Sequence, residues 1–216
     1  MSSDEIERRE RIIAKAEEMF LEHGYSRVTM EEIASSLGMS KKTLYKFFPN
    51  KEAILRELVS QRQCEFTERI DEIWQQADID FVGKLRKTLD FFAERTSRVN
   101  RFHDLQKQIP DLWKEICAFK NEKGTEKIRQ LLSIGFESGI IRNDLGRDII
   151  ILLYTNAVES MMNPELLSEL PYSGPQIFEA ISKIVFEGIL SEEGRKKYVS
   201  YGTDEKQSQV NNAVEN

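Results

Sequence analysis

The chain has 216 residues and a net charge of −6, from 31 basic and 37 acidic side chains. Forty per cent of its residues are hydrophobic, which is enough to bury a core and excludes wholesale disorder. Eleven glycines and five prolines are few for this length, which disfavours a turn-rich β sandwich or barrel. The most apolar region has only ten consecutive uncharged residues, 149–158, and the charged N-terminus has no apolar signal core. We therefore expect a cytoplasmic protein with no membrane segment.

Apolar residues recur at spacings of three and four from the first residues onward, which predicts an all-α fold without strands. Thr29, followed three residues later by Glu32, predicts a capping box at the start of a short helix that Gly38 ends. Ser40 caps the next helix, which Pro49 stops. The predicted helices cover residues 1–23, 29–37, 41–48, 51–77, 81–99, 111–137, 148–162 and 176–190, with shorter pieces near 102–109 and 165–170.

Two short helices joined by Gly38-Met39 have the layout of a helix-turn-helix, with the first helix of the chain packed across them. In this motif the N-terminal end of the second helix reaches base edges in the major groove. Residues 40–51 include four lysines and no Asp or Glu, so a local positive face can dock on phosphates although the whole chain is acidic. A second small basic patch consists of Arg8, Arg9 and Arg11. An ordinary helical hairpin covered by solvated lysines is the alternative.

Residues 9–56 resemble the DNA-binding segment of the tetracycline-repressor (TetR) family of bacterial regulators. The matching features are Gly24-Tyr25, Val28-Thr29, Ile33-Ala34, Leu37-Gly38-Met39-Ser40, Thr43-Leu44-Tyr45, Phe48 and Asn50-Lys51-Glu52. Lys42 departs from the pattern, because the family often has a small residue there. The rest of the chain is similar to the family in length and helical character only.

The resemblance implies an all-helical homodimer whose N-terminal unit reads a palindromic operator on double-stranded DNA. It also implies a C-terminal domain that binds a small-molecule effector and thereby releases the DNA. The expected DNA-binding residues are Thr29, Tyr45 and Lys51 at phosphates, Lys41, Lys42 and Thr43 nearest the bases, and Ser40 and Lys46 on the same helix.

We expect a helix-turn-helix domain over residues 1–50, a helical effector-binding and dimerisation domain over 51–197, and a disordered polar tail over 198–216. The helices over 148–162 and 176–190 are apolar on more than one face, and a monomer would leave part of that surface in water. A dimer interface of two helices per subunit would cover it. Burial under the long helices of the same chain is the alternative. The expected interface residues are Tyr154, Val158, Ile177, Ile181, Ile184 and Gly188.

Aromatic side chains are concentrated in the middle of the chain, together with a few polar groups. That mixture suits a largely apolar small molecule with one or two hydrogen-bonding groups, although aromatic residues at helical spacing are more often core. The expected effector-pocket residues are Phe66, Phe92, Phe102, His103, Trp113, Cys117, Phe136 and Tyr154.

Only two cysteines and two histidines are present, none has a second His or Cys at ligand spacing, and no glycine-rich phosphate loop occurs. We therefore expect no metal and no cofactor. Since no His–carboxylate or Cys–His cluster can be placed on one face, we also expect no enzymatic activity. The leading interpretation is a ligand-responsive transcriptional repressor. The alternative is a DNA-binding dimer without a small-molecule effector, acting architecturally or through a protein partner.

Overall fold

The computed structural model describes residues 2–99 and 105–198. Within those ranges the chain is helical, and extended pairing is confined to one isolated bridge between Ile141 and Leu190, so the predicted all-α fold is confirmed. A 3-10 turn over Tyr25–Arg27 follows the first helix, and residues 192–198 are also helical. The helices are α1 (Ser3–His23), α2 (Met30–Ser36), α3 (Lys41–Phe47), α4 (Lys51–Gln75), α5 (Phe81–Val99), α6 (Leu105–Gln108), α7 (Pro110–Glu137), α8 (Arg147–Met161), α9 (Pro164–Glu169) and α10 (Gly174–Ile189).

Most helix ends lie within two residues of the expected positions. The start of α10 differs by two residues, because this helix begins at Gly174 rather than Gln176. Ser173 caps it, because its hydroxyl accepts from the backbone N–H of Gln176 while the Gln176 side chain accepts from the backbone of Ser173. This is a capping box, a pattern that the sequence shows at these two positions.

The chain forms two compact units, and the first contains the described residues up to 69 and from 98 to 119. The expected boundary at residue 50 therefore differs from the division in the structure. The reason is burial: the first half of α4 contributes Ile54, Leu55 and Leu58 to the same core as α1–α3, and α6 and α7 add Leu105 and Leu112. Fifty residues of three short helices expose too much apolar surface to form a core alone, and these added side chains complete it.

The second unit contains the remaining described residues, and its core is built mainly from α5, the second half of α7, α8 and α10. Tyr154 of α8 lies at its centre, edge-on to Phe178 at 6.5 Å and to Phe186 at 5.3 Å between ring centroids. The Tyr154 hydroxyl lies 3.2 Å from the hydroxyl of Ser182, so two buried polar groups satisfy each other. Burial raises the pKa of the Tyr154 phenol, which stays protonated.

Tyr198, the first residue of the expected disordered tail over 198–216, is helical, which corrects that expectation at this position. Tyr198 is half-buried in the second unit, where the Arg86 guanidinium lies 5.2 Å from its ring centroid and donates to its carbonyl oxygen at 3.3 Å. Residues 199–216 lie outside the described residues. No helix in the described ranges combines the length and the apolar character that crossing a bilayer requires.

Candidate nucleic-acid interface

The N-terminus of α2 is fixed by the capping box predicted at Thr29. The Thr29 hydroxyl accepts from the backbone N–H of Glu32 at 3.3 Å, and the Glu32 carboxylate accepts from the backbone N–H of Thr29 at 2.8 Å. The hydrogen bonds that the Glu32 carboxylate accepts from the Thr29 backbone N–H and from the Thr29 hydroxyl hold the pKa of this carboxyl below its ordinary value. Gly38 then turns the chain with a φ of 64°, a left-handed conformation that side chains rarely adopt, so α3 can begin a few residues later.

The α3 helix buries one side and exposes the other. Ser40 caps it by accepting from the backbone N–H of Thr43 at 3.0 Å, and the two side-chain hydroxyls lie 2.8 Å apart. Leu44 is fully buried in the first core, whereas Tyr45 is exposed, as the sequence predicted. Lys42 and Lys46 are exposed as well, so the solvent face of α3 presents two ammonium groups and a phenol.

The three lysines of α3 differ in their partners. Lys41 forms an ion pair with Glu31 of α2, and its ammonium lies 5.8 Å from the ring centroid of Tyr45. Lys42 and Lys46 make no hydrogen bond or ion pair with any of the described residues. They are therefore available to phosphate oxygens without breaking an existing contact.

Lys51 requires a correction, because its side chain was expected to contact phosphate. Its ammonium donates to the backbone carbonyl oxygens of Tyr25 at 2.6 Å and Val28 at 2.7 Å, and it lies 4.1 Å from the Tyr25 ring centroid. The positive charge thus ties the start of α4 to the turn before α2. In this structure the side chain stabilises the unit rather than facing outward.

The small basic patch on α1 is committed to the fold only in part, because Arg11 is exposed and makes no hydrogen bond or ion pair with any described residue. Arg9 donates to the carboxylate of Glu57 and, at 2.9 Å, to the carbonyl oxygen of Phe47, and it lies 4.3 Å from the Phe48 ring centroid. Its guanidinium therefore joins α1 to the end of α3 and to α4. Arg8 pairs with Asp4 within α1 at 3.1 Å.

Sequence reasoning missed Arg27. It is exposed in the 3-10 turn two residues before Thr29, and it makes no hydrogen bond or ion pair within the described ranges. The sequence signal for Arg27 was its position beside a capped helix N-terminus. Backbone N–H groups there already favour anions, and an arginine side chain adds a positive charge next to them.

The expected effector-pocket residues are divided between the two units. Phe66, Trp113 and Cys117 belong to the first unit, where Phe66 packs edge-on against Phe119 at 5.9 Å. Phe92, Phe136 and Tyr154 belong to the core of the second unit, and Phe102 and His103 lie outside the described residues.

A groove of about 530 Å³ in the second unit is lined by other residues, so the expected pocket lining is not the lining of this groove. Within it, the Lys127 ammonium donates to the Asp71 carboxylate at 2.5 Å. In the described parts of the chain, no group of three or more His, Cys, Asp or Glu side chains is placed to hold a metal ion. The groove-lining residues are Asp71, Trp74, Gln75, Glu126, Lys127, Arg129, Gln130, Ser133 and Ile134.

The expected dimer-interface residues also separate into two groups. Tyr154, Ile177 and Ile181 are buried within the protomer, which corrects their placement in an interface. Ile184 is 75% exposed and Gly188 is exposed, whereas Val158 is half-buried. The sequence did not single out the other large apolar side chains that α8 leaves in water, which are Ile149, Leu152 and Leu153.

Comparison with known proteins agrees with this geometry. The family described as bacterial regulatory proteins, tetR family, matches residues 12–58, which contain α2, α3 and the start of α4. YvaF of Bacillus subtilis, an uncharacterised HTH-type transcriptional regulator, is 24% identical over 85% of this chain and 96% of its own. The DNA-binding segment over residues 12–58 belongs to the TetR family. The chain is a DNA-binding transcriptional regulator with an N-terminal helix-turn-helix and a helical C-terminal part.

Two further proteins are similar to this chain over most of its length. The HTH-type transcriptional repressor KstR2 of Mycolicibacterium smegmatis is 23% identical over 88% of the chain and 94% of its own. The crystal structure of the regulator FadR of Bacillus subtilis, in complex with stearoyl-CoA, has a TM-score of 0.55 and 22% identity. It covers 83% of this chain and 98% of that one, which shows a shared fold.

Proposed function

We propose that this TetR-family chain is a ligand-responsive repressor that binds a palindromic operator as a homodimer and leaves it when a small effector binds. The main observation that supports DNA binding is the solvent-exposed face of α3. Its N-terminus is capped by Ser40, its inner side is anchored by Leu44, and its outer side presents Lys42, Tyr45 and Lys46. A helix held in this way can enter the major groove without reorganising its own unit.

Two kinds of contact follow from the placement of the side chains. Lys41, Lys42 and Thr43 lie in the first turn of α3, the end that reaches base edges, and lysine donates to guanine acceptors. Tyr45 and Lys46 lie one turn further along and suit phosphate oxygens. At the start of α2, Thr29 and Arg27 are the proposed phosphate contacts. The Lys51 side chain is not among them, because it donates to backbone carbonyl oxygens.

The homodimer rests on the apolar side chains that α8 and α10 leave in water. Ile149, Leu152 and Leu153 recur at three- and four-residue spacing, which places them on one face of α8. Ile184 and Gly188 lie four residues apart on α10. Two-fold association would bury these faces in a four-helix arrangement, and it would place one α3 on each half of a palindrome.

The effector is proposed to be small and largely apolar. Support comes from the likeness to the FadR regulator, which was solved with stearoyl-CoA, and from the aromatic side chains of the second unit. Release requires only that the effector bind better to an arrangement of the dimer that fits the operator poorly.

One observation favours the alternative, a DNA-binding dimer without a small-molecule effector. Phe92 packs edge-on against Phe178 at 6.2 Å, and Tyr154 packs against the same ring, so these aromatics fill a core. A core already filled leaves them no room to contact a ligand unless the helices move apart.

Selection of bound duplexes from a random pool tests the DNA-binding proposal. We expect enrichment of a two-fold symmetric motif with half-sites about one helical turn apart or somewhat more. Equal recovery of all sequences would contradict base reading by α3. Titrating the selected complex with long-chain acyl-CoA, and with free coenzyme A as the matched control, then separates the two functions. Release by the acyl-CoA alone supports an apolar effector; no release by it or by a panel of other apolar ligands supports the alternative.

A further inference from the structure

Glu31 and Lys41 form an ion pair across the turn between α2 and α3. Glu31 lies in the first turn of α2, and Lys41 is the first residue of α3. Both side chains remain about half exposed, at 54% and 55%. The pair is therefore at the surface from which the proposed base contacts are made.

The ion pair makes Lys41 different from the other lysines of its helix. Lys42 and Lys46 have no such partner within the described ranges, whereas Lys41 has both a carboxylate and the Tyr45 ring. A lysine that reaches a phosphate strengthens binding to every sequence alike, since phosphates carry no sequence information. A lysine held by a carboxylate adds nothing to that indiscriminate binding until its ion pair opens.

Opening the pair has an electrostatic consequence. Glu31 lies in the first turn of α2, and its negative charge is no longer neutralised when Lys41 leaves. An uncompensated carboxylate facing DNA is repelled by the phosphates. The pair should therefore open where docking in register brings Lys41 against two acceptors at once, such as the N7 and O6 atoms of guanine in the major groove.

We propose that Glu31 is a specificity-determining residue, which withholds Lys41 from phosphates on arbitrary DNA and releases it to a base on the operator. The inference rests on the proposed DNA-binding function. On random DNA, each unit of the wild-type protein should therefore use only Lys42 and Lys46 of the three lysines of α3. Glu31→Gln removes the negative charge, so Lys41 becomes free to bind phosphate on any duplex.

The salt dependence of binding measures this directly. Each added phosphate contact steepens the slope of log affinity against log salt by about 0.9, so between 50 and 200 mM salt it costs a further factor of about 3.5. We expect Glu31→Gln to bind a mixed random-sequence duplex more tightly at low salt, with a slope steeper by about 0.9 for each unit engaged. Affinity for the selected operator should change less, so the ratio of operator to random binding should fall.

A double-mutant cycle identifies the partner of Glu31. The effect of Glu31→Gln on random DNA should vanish in the Lys41→Gln background and persist in the Lys42→Gln background. Glu10→Gln is the matched control, because Glu10 is exposed, has the same charge and makes no hydrogen bond or ion pair with the described residues. Thermal denaturation of each variant verifies that the fold is retained.

The inference is overturned if Glu31→Gln leaves the slope on random DNA unchanged, if Glu10→Gln steepens it equally, or if the effect survives in the Lys41→Gln background. Wild-type protein that binds no duplex at all would overturn the proposed function itself. A wild-type protein that binds its selected operator, with no cycle coupling between Glu31 and Lys41, would overturn this inference alone.

Discussion

Ile184 provides the sharpest test of the proposed homodimer. It is 75% exposed on α10, although Ile181, three residues earlier, is buried in the protomer. We predict that Ile184→Glu weakens the dimer without unfolding the protomer. The same substitution at Ile181 should instead unfold the second unit, since it would bury a carboxylate in the core.

The size of the effect follows from the exposed area. Complete burial of an isoleucine side chain is worth about 1.5–3 kcal/mol, so removing the remaining three quarters of Ile184 from water is worth about 1–2 kcal/mol. Two-fold symmetry repeats the contribution in the partner, which gives about 2–4 kcal/mol. Glutamate at this position would lose this stabilisation and would add the cost of an unpaired charge in an apolar interface. The dimer dissociation constant should therefore rise by at least about 30-fold.

Sedimentation equilibrium over a range of concentrations measures that constant. Ile6→Glu is the matched control, because Ile6 is also exposed but lies on α1 in the first unit and is not part of the proposed interface. It should leave the dissociation constant unchanged. Wild-type protein that is monomeric at micromolar concentration would refute the interface, and so would Ile184→Glu protein with the wild-type dissociation constant.

Two further pairs of variants test the packing around two glycines and the different roles of two lysines. Gly135→Ala should lower the free energy of unfolding by about 1–3 kcal/mol, because its Cβ would lie 2.5 Å from a neighbouring side-chain atom. Gly124→Ala, with nothing within 4 Å, should raise it by about 0.4–1 kcal/mol, and thermal denaturation compares the two. Lys51→Gln should destabilise the protein by about 1.5–3 kcal/mol and leave the salt slope of DNA binding unchanged. Lys46→Gln should leave stability unchanged and make the slope shallower by about 0.9 for each unit engaged. The reverse pattern would contradict both assignments.

The helix boundaries were predictable because the signals that set them are local. Thr29 and Ser40 each bond to a backbone group three residues later, and that relation can be seen in the sequence without any tertiary information. Ser173 makes the same contact, which the expected start of α10 at Gln176 overlooked. The orientation of α3 was predictable for the same reason. Leu44 and Tyr45 are adjacent, so burying the first turns the second about 100° away from the core.

The apolar faces of α10 show where sequence periodicity stops being sufficient. Ile177, Ile181 and Ile184 form one stripe at helical spacing, yet the first two are buried and the third is exposed. A spacing of three from Ile181 moves Ile184 about 60° around the helix, whereas Val185 stays nearer the direction of the core. The direction of the core is set by α8, a separate helix that packs against α10, and so no pattern within α10 alone fixes which of its residues lie at the edge of the core.

The basic residues show the same limit in electrostatic terms. Arg9 and Lys51 have charges that the sequence cannot distinguish from those of Lys42 and Lys46, yet the first two donate to backbone carbonyl oxygens and the last two face solvent. The difference depends on where Phe47, Tyr25 and Val28 place their carbonyl groups after folding, 23 to 38 residues away along the chain.

A cation that already donates to an acceptor within the fold must break that hydrogen bond before it can neutralise a phosphate. The acceptor is then left without a partner, at a cost comparable to the stabilisation that the phosphate provides. Counting charges along the sequence therefore overestimates the electrostatic contribution to DNA binding. On a chain of net charge −6, the attraction to DNA must come from the few cations whose side chains end in solvent, such as Arg11, Arg27, Lys42 and Lys46 in the first unit. If Glu31 withholds Lys41 as proposed, Lys41 stays outside that set until the operator is reached. A weak indiscriminate attraction, combined with a base-reading lysine that has to be released, favours an operator over the excess of other DNA more than a uniformly basic surface would.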